Sequence, residues 1–68
     1  MKDISIQFGI NVRNKRKQLK IPQEKMALLA DIDRSYMGRI ERGEVNITLI
    51  KAYILAEALD CNIRELLP

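Results

Sequence analysis

The chain has 68 residues, of which 47% are apolar and 31% are charged, and its formal net charge is +3. This length suits one small domain, and the composition is typical of a folded globule rather than a disordered tail. The chain contains no histidine, one cysteine and no apolar run of the roughly 20 residues that cross a bilayer. We therefore expect no enzyme, no metal or other cofactor, no small-molecule ligand and no membrane partner, and we expect a cytoplasmic protein without a signal peptide.

Positive charge is concentrated in the first part of the chain. Residues 1–42 contain ten of the twelve Lys and Arg residues but only five of the nine Asp and Glu residues. Such a distribution favours a surface that faces a polyanion. Because the net charge is only +3, an ordinary solvated face explains the pattern equally well, and charge alone does not decide between the two.

The first two predicted helices occupy the region before residue 31. Phe8, Val12 and Leu19 lie on one stripe of a helix over about residues 6–19, with most basic residues off that stripe. Pro22 begins the next segment, because proline is tolerated in the first turn of a helix and not deeper. The second helix covers about residues 23–30, with an inner stripe of Met26, Ala27 and Ala30.

The third predicted helix follows a turn at Asp31 and Ile32 and covers about residues 34–42. Asp33 has the side-chain oxygen that an N-cap needs. Gly43 suits the left-handed position that ends a helix. The second helix, the turn and the third helix together form a helix-turn-helix pattern over residues 23–43.

The last predicted helices complete an all-α domain. A fourth helix, capped by Asn46 or Thr48, has apolar residues at helical spacing at Leu49, Ala52, Tyr53, Ala56 and Leu59. Asn62 followed by Glu65 resembles a capping box for a short fifth helix over residues 63–67. Alternation at period two is nowhere sustained, so the sequence predicts a compact five-helix domain without strands.

The third helix has the features that a helix needs to read the DNA major groove. Met37 and Ile40 would anchor its inner face, while its outer face would present Arg34, Ser35, Gly38 and Arg39. Glycine inside a helix costs about 1 kcal/mol relative to alanine, which favours close approach of another surface at Gly38. DNA is one candidate for that surface, and the first or fourth helix is another. A further alternative is that the helix simply tolerates the glycine.

Residues 23–43 resemble the helix-turn-helix of the lambda-repressor-like (Xre/Cro-type) family of DNA-binding proteins. Gln23 matches the glutamine that opens the first motif helix, Ala27 matches the small residue at the helix crossing, and residues 40–43, IERG, match the closing signature. Further matches lie in the first and fourth helices: Gly9, Val12, Arg13, Arg16, Leu55, Ala56, Ala58 and Leu59. The resemblance implies a single lambda-repressor-like domain over residues 1–68 with double-stranded DNA as its partner.

The resemblance also implies roles for individual residues. Base reading would fall to Arg34, Ser35 and Arg39. Contacts with the DNA backbone, or its close approach, would fall to Gln23, Tyr36, Gly38, Arg42 and Asn46. Arg16 and Glu41 would form a structural ion pair between the first and third helices, the alternative being that Glu41 is a plain surface carboxylate.

The sequence departs from the family pattern at three positions. Asp31 and Lys20 stand where the family often has glycine, and aspartate is among the residues that tolerate a left-handed backbone. Pro22 stands where a serine or threonine usually caps the second helix, a loss of about 1 kcal/mol. These departures affect local stability more than the reading face.

Residues 33–49 also resemble the controller proteins of restriction–modification systems, which are small dimeric regulators. The sequence therefore predicts a bacterial or phage-encoded transcription regulator that binds a pseudo-palindromic operator as a homodimer. A small phage or plasmid repressor of the same fold is one alternative, and a protein-interaction module that does not bind DNA is another. Arg34, Ser35 and Arg39 on one outward face favour DNA.

The fourth helix and the residues after it contain more apolar side chains than one buried stripe needs. We expect some of them to form a symmetric dimer interface, and the candidates are Ile50, Ile54, Leu55, Ile63, Leu66 and Leu67. The alternative is that the domain buries all of them internally. Tyr53 and Cys61 are expected in the core.

Overall fold

The structure, a computed structural model, describes the backbone of residues 2–68 and the side chains from Ile4 onward. The described part is all-helical and has no strand. Its four α-helices are α1 (Lys2–Gln18), α2 (Gln23–Leu29), α3 (Arg34–Glu41) and α4 (Leu49–Ala58), and a 3-10 helix follows at Ile63–Glu65. None of the described helices combines the length and apolar character needed to cross a membrane.

The prediction of a fifth α-helix is not confirmed. Asn62 and Glu65 do form the capping box, with Glu65 Oε2 accepting from the Asn62 N–H at 3.1 Å. The segment nevertheless closes as a 3-10 turn, in which the Leu66 N–H donates to the Ile63 carbonyl at 2.9 Å. Leu66 is completely buried, and its insertion into the core at this point ends the helix after one turn.

Helix α1 begins at Lys2, four residues before the predicted start. Its first turns pack against the loop after α3. A Cβ at Gly43 would lie 2.6 Å from Ile6 Cα, so only glycine permits this approach, and the Ser5 hydroxyl donates to Asn46 Oδ1 at 3.4 Å. These contacts between distant parts of the chain explain why local patterns did not predict the extra turn.

One hydrophobic core joins all four α-helices. It comprises Phe8, Val12, Met26, Ala27, Ala30, Met37, Ile40, Ala52, Leu55, Ala56, Leu59 and Leu66. Four residues that were predicted on an inner stripe or in the core lie outside it, and one of them, Leu49 at the start of α4, is 71% exposed. Leu19 follows the end of α1 and is exposed, and Tyr53, 56% exposed, lies on the outer side of α4. Cys61 is half-buried against the core rather than within it.

Every α-helix ends in the same type of turn, a Schellman motif with one left-handed residue. The left-handed residues are Lys20 (φ 58°), Asp31 (φ 54°), Gly43 (φ 73°) and Asp60 (φ 52°). In the second turn, for example, the Ile32 N–H donates to the Ala27 carbonyl at 2.9 Å and the Asp31 N–H to the Leu28 carbonyl at 3.1 Å. Glycine is present in only one of the four turns, so the other three adopt a backbone that L-residues disfavour.

The N-termini of the helices differ in how they are capped. Pro22 precedes α2 without a side-chain hydrogen bond, as its lack of a capping oxygen requires. Asp33 accepts from the Ser35 N–H at 2.9 Å and caps α3, and Thr48 rather than Asn46 caps α4 by accepting from the Lys51 N–H at 3.1 Å. Helix α3 therefore has a well-formed boundary at each end.

Candidate nucleic-acid interface

Helix α3 is held between α1 and α2 by its apolar face. Met37 is completely buried and Ile40 is 2% exposed, so both predicted anchors lie in the core. Gly9 of α1 allows the close crossing, because a Cβ there would overlap the backbone carbonyl oxygens of Ile40 and Glu41. The opposite side of the helix presents three side chains to solvent, those of Arg34, Ser35 and Arg39.

A buried ion pair fixes the end of α3 to α1. Arg16 Nε donates to Glu41 Oε2 at 2.6 Å, and Arg16 Nη2 donates to Glu41 Oε1 at 3.0 Å. The Arg16 guanidinium also donates to the Ile21 carbonyl at 2.9 Å. Glu41 is only 7% exposed, which excludes the interpretation of a plain surface carboxylate.

Gln23 connects α2 to the same carboxylate. Its Nε2 donates to Glu41 Oε1 at 3.1 Å, so α1, α2 and α3 meet at one charged group. All the buried side-chain nitrogen and oxygen atoms in the described part of the chain have hydrogen-bond partners. A satisfied buried network of this kind sets the orientation of α3 relative to both neighbouring helices.

Gly38 is buried, which corrects the prediction that it lies on the open outward face. A Cβ there would lie 3.1 Å from Arg42 Nη1 and 3.6 Å from Gln23 Oε1. The glycine thus accommodates the guanidinium of Arg42, the C-cap residue one turn later. Neither α1 nor α4 supplies the nearest atoms, so neither explains the absence of a side chain.

Glu44 contacts two arginines at the end of α3. Arg42 Nε donates to Glu44 Oε2 at 2.8 Å and Arg42 Nη2 to Oε1 at 3.4 Å, while Arg39 Nε lies 4.0 Å from Oε1. The hydrogen bond from Arg42 lowers the pKa of the Glu44 carboxyl, and the same bond raises the pKa of Arg42. Sequence reasoning missed Glu44, because its contact depends on the turn at Gly43.

The remaining predicted contact residues lie in α3 and in the loop that follows it. Tyr36 is half-buried, and the Lys51 ammonium lies 5.7 Å from the centroid of its ring, within the range of a cation–π interaction. Asn46 is exposed in the loop after α3. Lys51 was also missed by sequence reasoning, since nothing in the local pattern places residue 51 against residue 36.

The predicted dimer residues fall into two groups. Leu55 and Leu66 are 1% and 0% exposed, so their prediction as interface residues is wrong, and they complete the core instead. Ile50 is 73% exposed and Leu67 is also exposed, while Ile54 and Ile63 are half-buried. Leu49 and Tyr53, which were predicted on the inner stripe of α4, are exposed instead and lie in the same surface groove as Ile50.

Comparison with known proteins gives matches over almost the whole chain. A family model described as helix-turn-helix matches residues 12–66. Control protein C.SmaI of Serratia marcescens is 38% identical over 65 residues, covering 96% of this chain and 77% of that protein. Control protein C.MunI of a Mycoplasma species is 34% identical over 67 residues, covering 97% of this chain and 90% of that protein.

A solved structure agrees with these sequence relatives. The crystal structure of the restriction-modification controller protein C.AhdI from Aeromonas hydrophila superposes with a TM-score of 0.87 and 43% sequence identity. The match covers 90% of this chain and 92% of that chain. The similarity therefore includes the helix-turn-helix and the helices on both sides of it.

Proposed function

Because the chain belongs to the helix-turn-helix family, we propose that it is a transcription regulator of the controller type that binds double-stranded DNA in a sequence-specific manner. The observation that supports this most directly is the arrangement of α3. Its inner face is fixed in the core, and its outer face exposes two arginines and a serine. Both sequence relatives described above are control proteins, which is consistent with a regulatory role for a single domain over residues 1–68.

Base reading would be performed by Arg34, Ser35 and Arg39. An arginine can donate two hydrogen bonds to O6 and N7 of guanine in the major groove, with a discrimination of about 1–3 kcal/mol for a good pair. Serine can donate to or accept from several base edges, so it adds less discrimination. The buried network at Glu41 supports this role, because base contacts need a helix that is held in one orientation.

The DNA backbone would be contacted by side chains in α3 and just after it. Tyr36 lies in α3, Arg42 is its C-cap residue, and Asn46 lies in the loop that follows. Lys51 of α4 lies against Tyr36. Gln23 has a double role. Its amide nitrogen has two hydrogens, of which one is donated to Glu41 and the other can be donated to a phosphate. Such contacts set the register of the helix but read no sequence.

A homodimer would complete the recognition of an operator. One recognition helix reaches only a few base pairs, and two-fold dimers read half-sites about 34 Å apart. The exposed apolar side chains of Leu49, Ile50 and Tyr53, which line one groove of mixed polarity along α4, support this part of the proposal. Sedimentation should show a dimer that Ile50→Asp dissociates, and a monomer at high concentration would contradict it.

The DNA proposal is tested by measuring affinity at several salt concentrations for a duplex selected from a random pool. Binding that replaces counterions on several phosphates weakens steeply as salt rises. A matched control is Arg64→Ala, which removes an exposed arginine of the 3-10 helix, outside α3. Because Arg64 lines the same groove as Ile50, sedimentation must first show that this variant keeps the oligomeric state of the wild type. Arg34→Ala should weaken binding to the selected duplex more than Arg64→Ala does. Affinity that does not change with salt would contradict the proposal and favour a protein-interaction module.

A further inference from the structure

Glu44 occupies a defined position at the end of the proposed reading helix. Its backbone belongs to the Schellman motif, in which the Glu44 N–H donates to the Arg39 carbonyl at 2.9 Å and Gly43 has a φ of 73°. This turn directs the Glu44 carboxylate back toward Arg42 and Arg39. The contact is therefore a product of the helix end and needs no other element of the fold.

Stability of the fold does not explain a carboxylate at this position. A negative charge near the C-terminus of a helix interacts unfavourably with the helix dipole. The side chains of Arg42 and Glu44 are 60% and 49% exposed, and ion pairs with such exposure contribute little to folding. The main effect of Glu44 must then be on the two arginines themselves.

The Arg42 guanidinium is held from two sides. Glu44 accepts hydrogen bonds from its Nε and Nη2, while its Nη1 lies over Gly38, where any side chain would approach within 3.1 Å. These two contacts select one orientation of a side chain that is otherwise long and flexible. The carboxylate also neutralises part of the charge that the guanidinium would present to a phosphate.

We propose that Glu44 is a positioning residue that raises sequence specificity by holding the Arg42 guanidinium in one orientation and reducing its attraction to DNA of arbitrary sequence. The proposal rests on the DNA-binding function proposed above. In a complex with the correct register, the oriented guanidinium meets its phosphate with little further loss of conformational freedom. In a complex without that register, Arg42 must leave Glu44 to reach any phosphate, so binding is weaker.

The test compares two duplexes of the same length and base composition, one selected from a random pool by the wild-type chain and one with the selected sequence scrambled. Glu44→Gln should raise affinity for the scrambled duplex and steepen its salt dependence by about 0.9 in the slope of log K against log salt, the value for one additional phosphate contact. The ratio of affinities for the selected and scrambled duplexes should fall. Asp31→Asn, which removes an exposed carboxylate from the turn between α2 and α3 and keeps a residue that tolerates its left-handed backbone, is the control and should leave this ratio unchanged.

A second variant separates orientation from charge. Gly38→Ala keeps the net charge but places a Cβ 3.1 Å from Arg42 Nη1, so the end of the Arg42 side chain must shift by a few tenths of an ångström. We expect the affinity ratio to fall in this variant as well, and circular dichroism should show a folded protein because alanine favours the helix. A Glu44→Gln variant that gains equally on both duplexes, or a Gly38→Ala variant with an unchanged ratio, would overturn this proposal alone. If selection from the random pool enriches no sequence for the wild-type chain, the proposed function and this proposal fail together.

Discussion

The end of α3 and the outer side of α4 differ in the chemical character of their exposed side chains. Around α3, a buried carboxylate and two apolar anchors hold the helix, and the exposed side chains are charged or polar. Around α4, Leu55 and Leu66 fill the core, and the exposed side chains at Leu49, Ile50 and Tyr53 are apolar. The first surface suits a polyanion and the second suits another protein surface, so one small domain presents two chemically distinct faces.

The largest expected effect tests how α3 is held. Glu41→Ala would leave the buried Arg16 guanidinium without its carboxylate, and breaking a buried pair in this way typically costs about 3–5 kcal/mol. We expect a loss of that size in the free energy of unfolding measured by urea denaturation. Glu57→Ala, at an exposed site of α4, should change stability little. Similar values for the two variants would mean that Glu41 does not anchor the helix.

The next effect tests the assignment of apolar residues near the end of the chain. Leu66 is completely buried, and its replacement by alanine should cost about 2–5 kcal/mol of stability, whereas its neighbour Leu67 is exposed and should tolerate the same change. Chemical denaturation of Leu66→Ala and Leu67→Ala at one low protein concentration measures both. A larger loss at Leu67 than at Leu66 would show that the two residues are assigned to the wrong surfaces.

The smallest effect tests the turn that precedes α3. Asp31 adopts a left-handed backbone with a φ of 54°, a conformation that glycine adopts without steric cost. Asp31→Gly should therefore stabilise the domain by about 1 kcal/mol or less, because the steric gain is partly offset by the greater freedom of glycine in the unfolded chain. The contrasting variant is Asp33→Gly, because Asp33 caps α3 and its φ of −66° gives glycine no steric advantage. Thermal unfolding is measured for both variants. Destabilisation by Asp31→Gly would show that the aspartate side chain contributes more than its backbone costs.

Local sequence patterns predicted the structural features that depend only on residues close together in the chain. The anchors Met37 and Ile40, the cap at Asp33 and the helix end at Gly43 all follow from spacing and residue type within one helix. The family resemblance, rather than spacing, suggested that Arg16 and Glu41 would pair, and the structure brings them within 2.6 Å.

Contacts between distant segments could not be predicted in the same way. Helix α4 is apolar on most of its surface, so the sequence did not indicate that Leu55 faces the core and Tyr53 faces solvent. Gly38 was placed on the outward face because helical spacing does not show that the Arg42 side chain folds back over it. The early start of α1 likewise depends on packing against the loop that contains Asn46.

The most direct test of DNA reading by α3 is the effect of Arg39→Ala on the recognition of individual base pairs. Affinities of the wild type and the variant are measured for the selected duplex and for the same duplex changed at one base pair at a time. We expect the variant to lose about 1–3 kcal/mol of discrimination at one position of each half-site and to lose much less affinity for the scrambled duplex. An unchanged preference at every base pair would contradict the proposal that α3 reads the operator through Arg39.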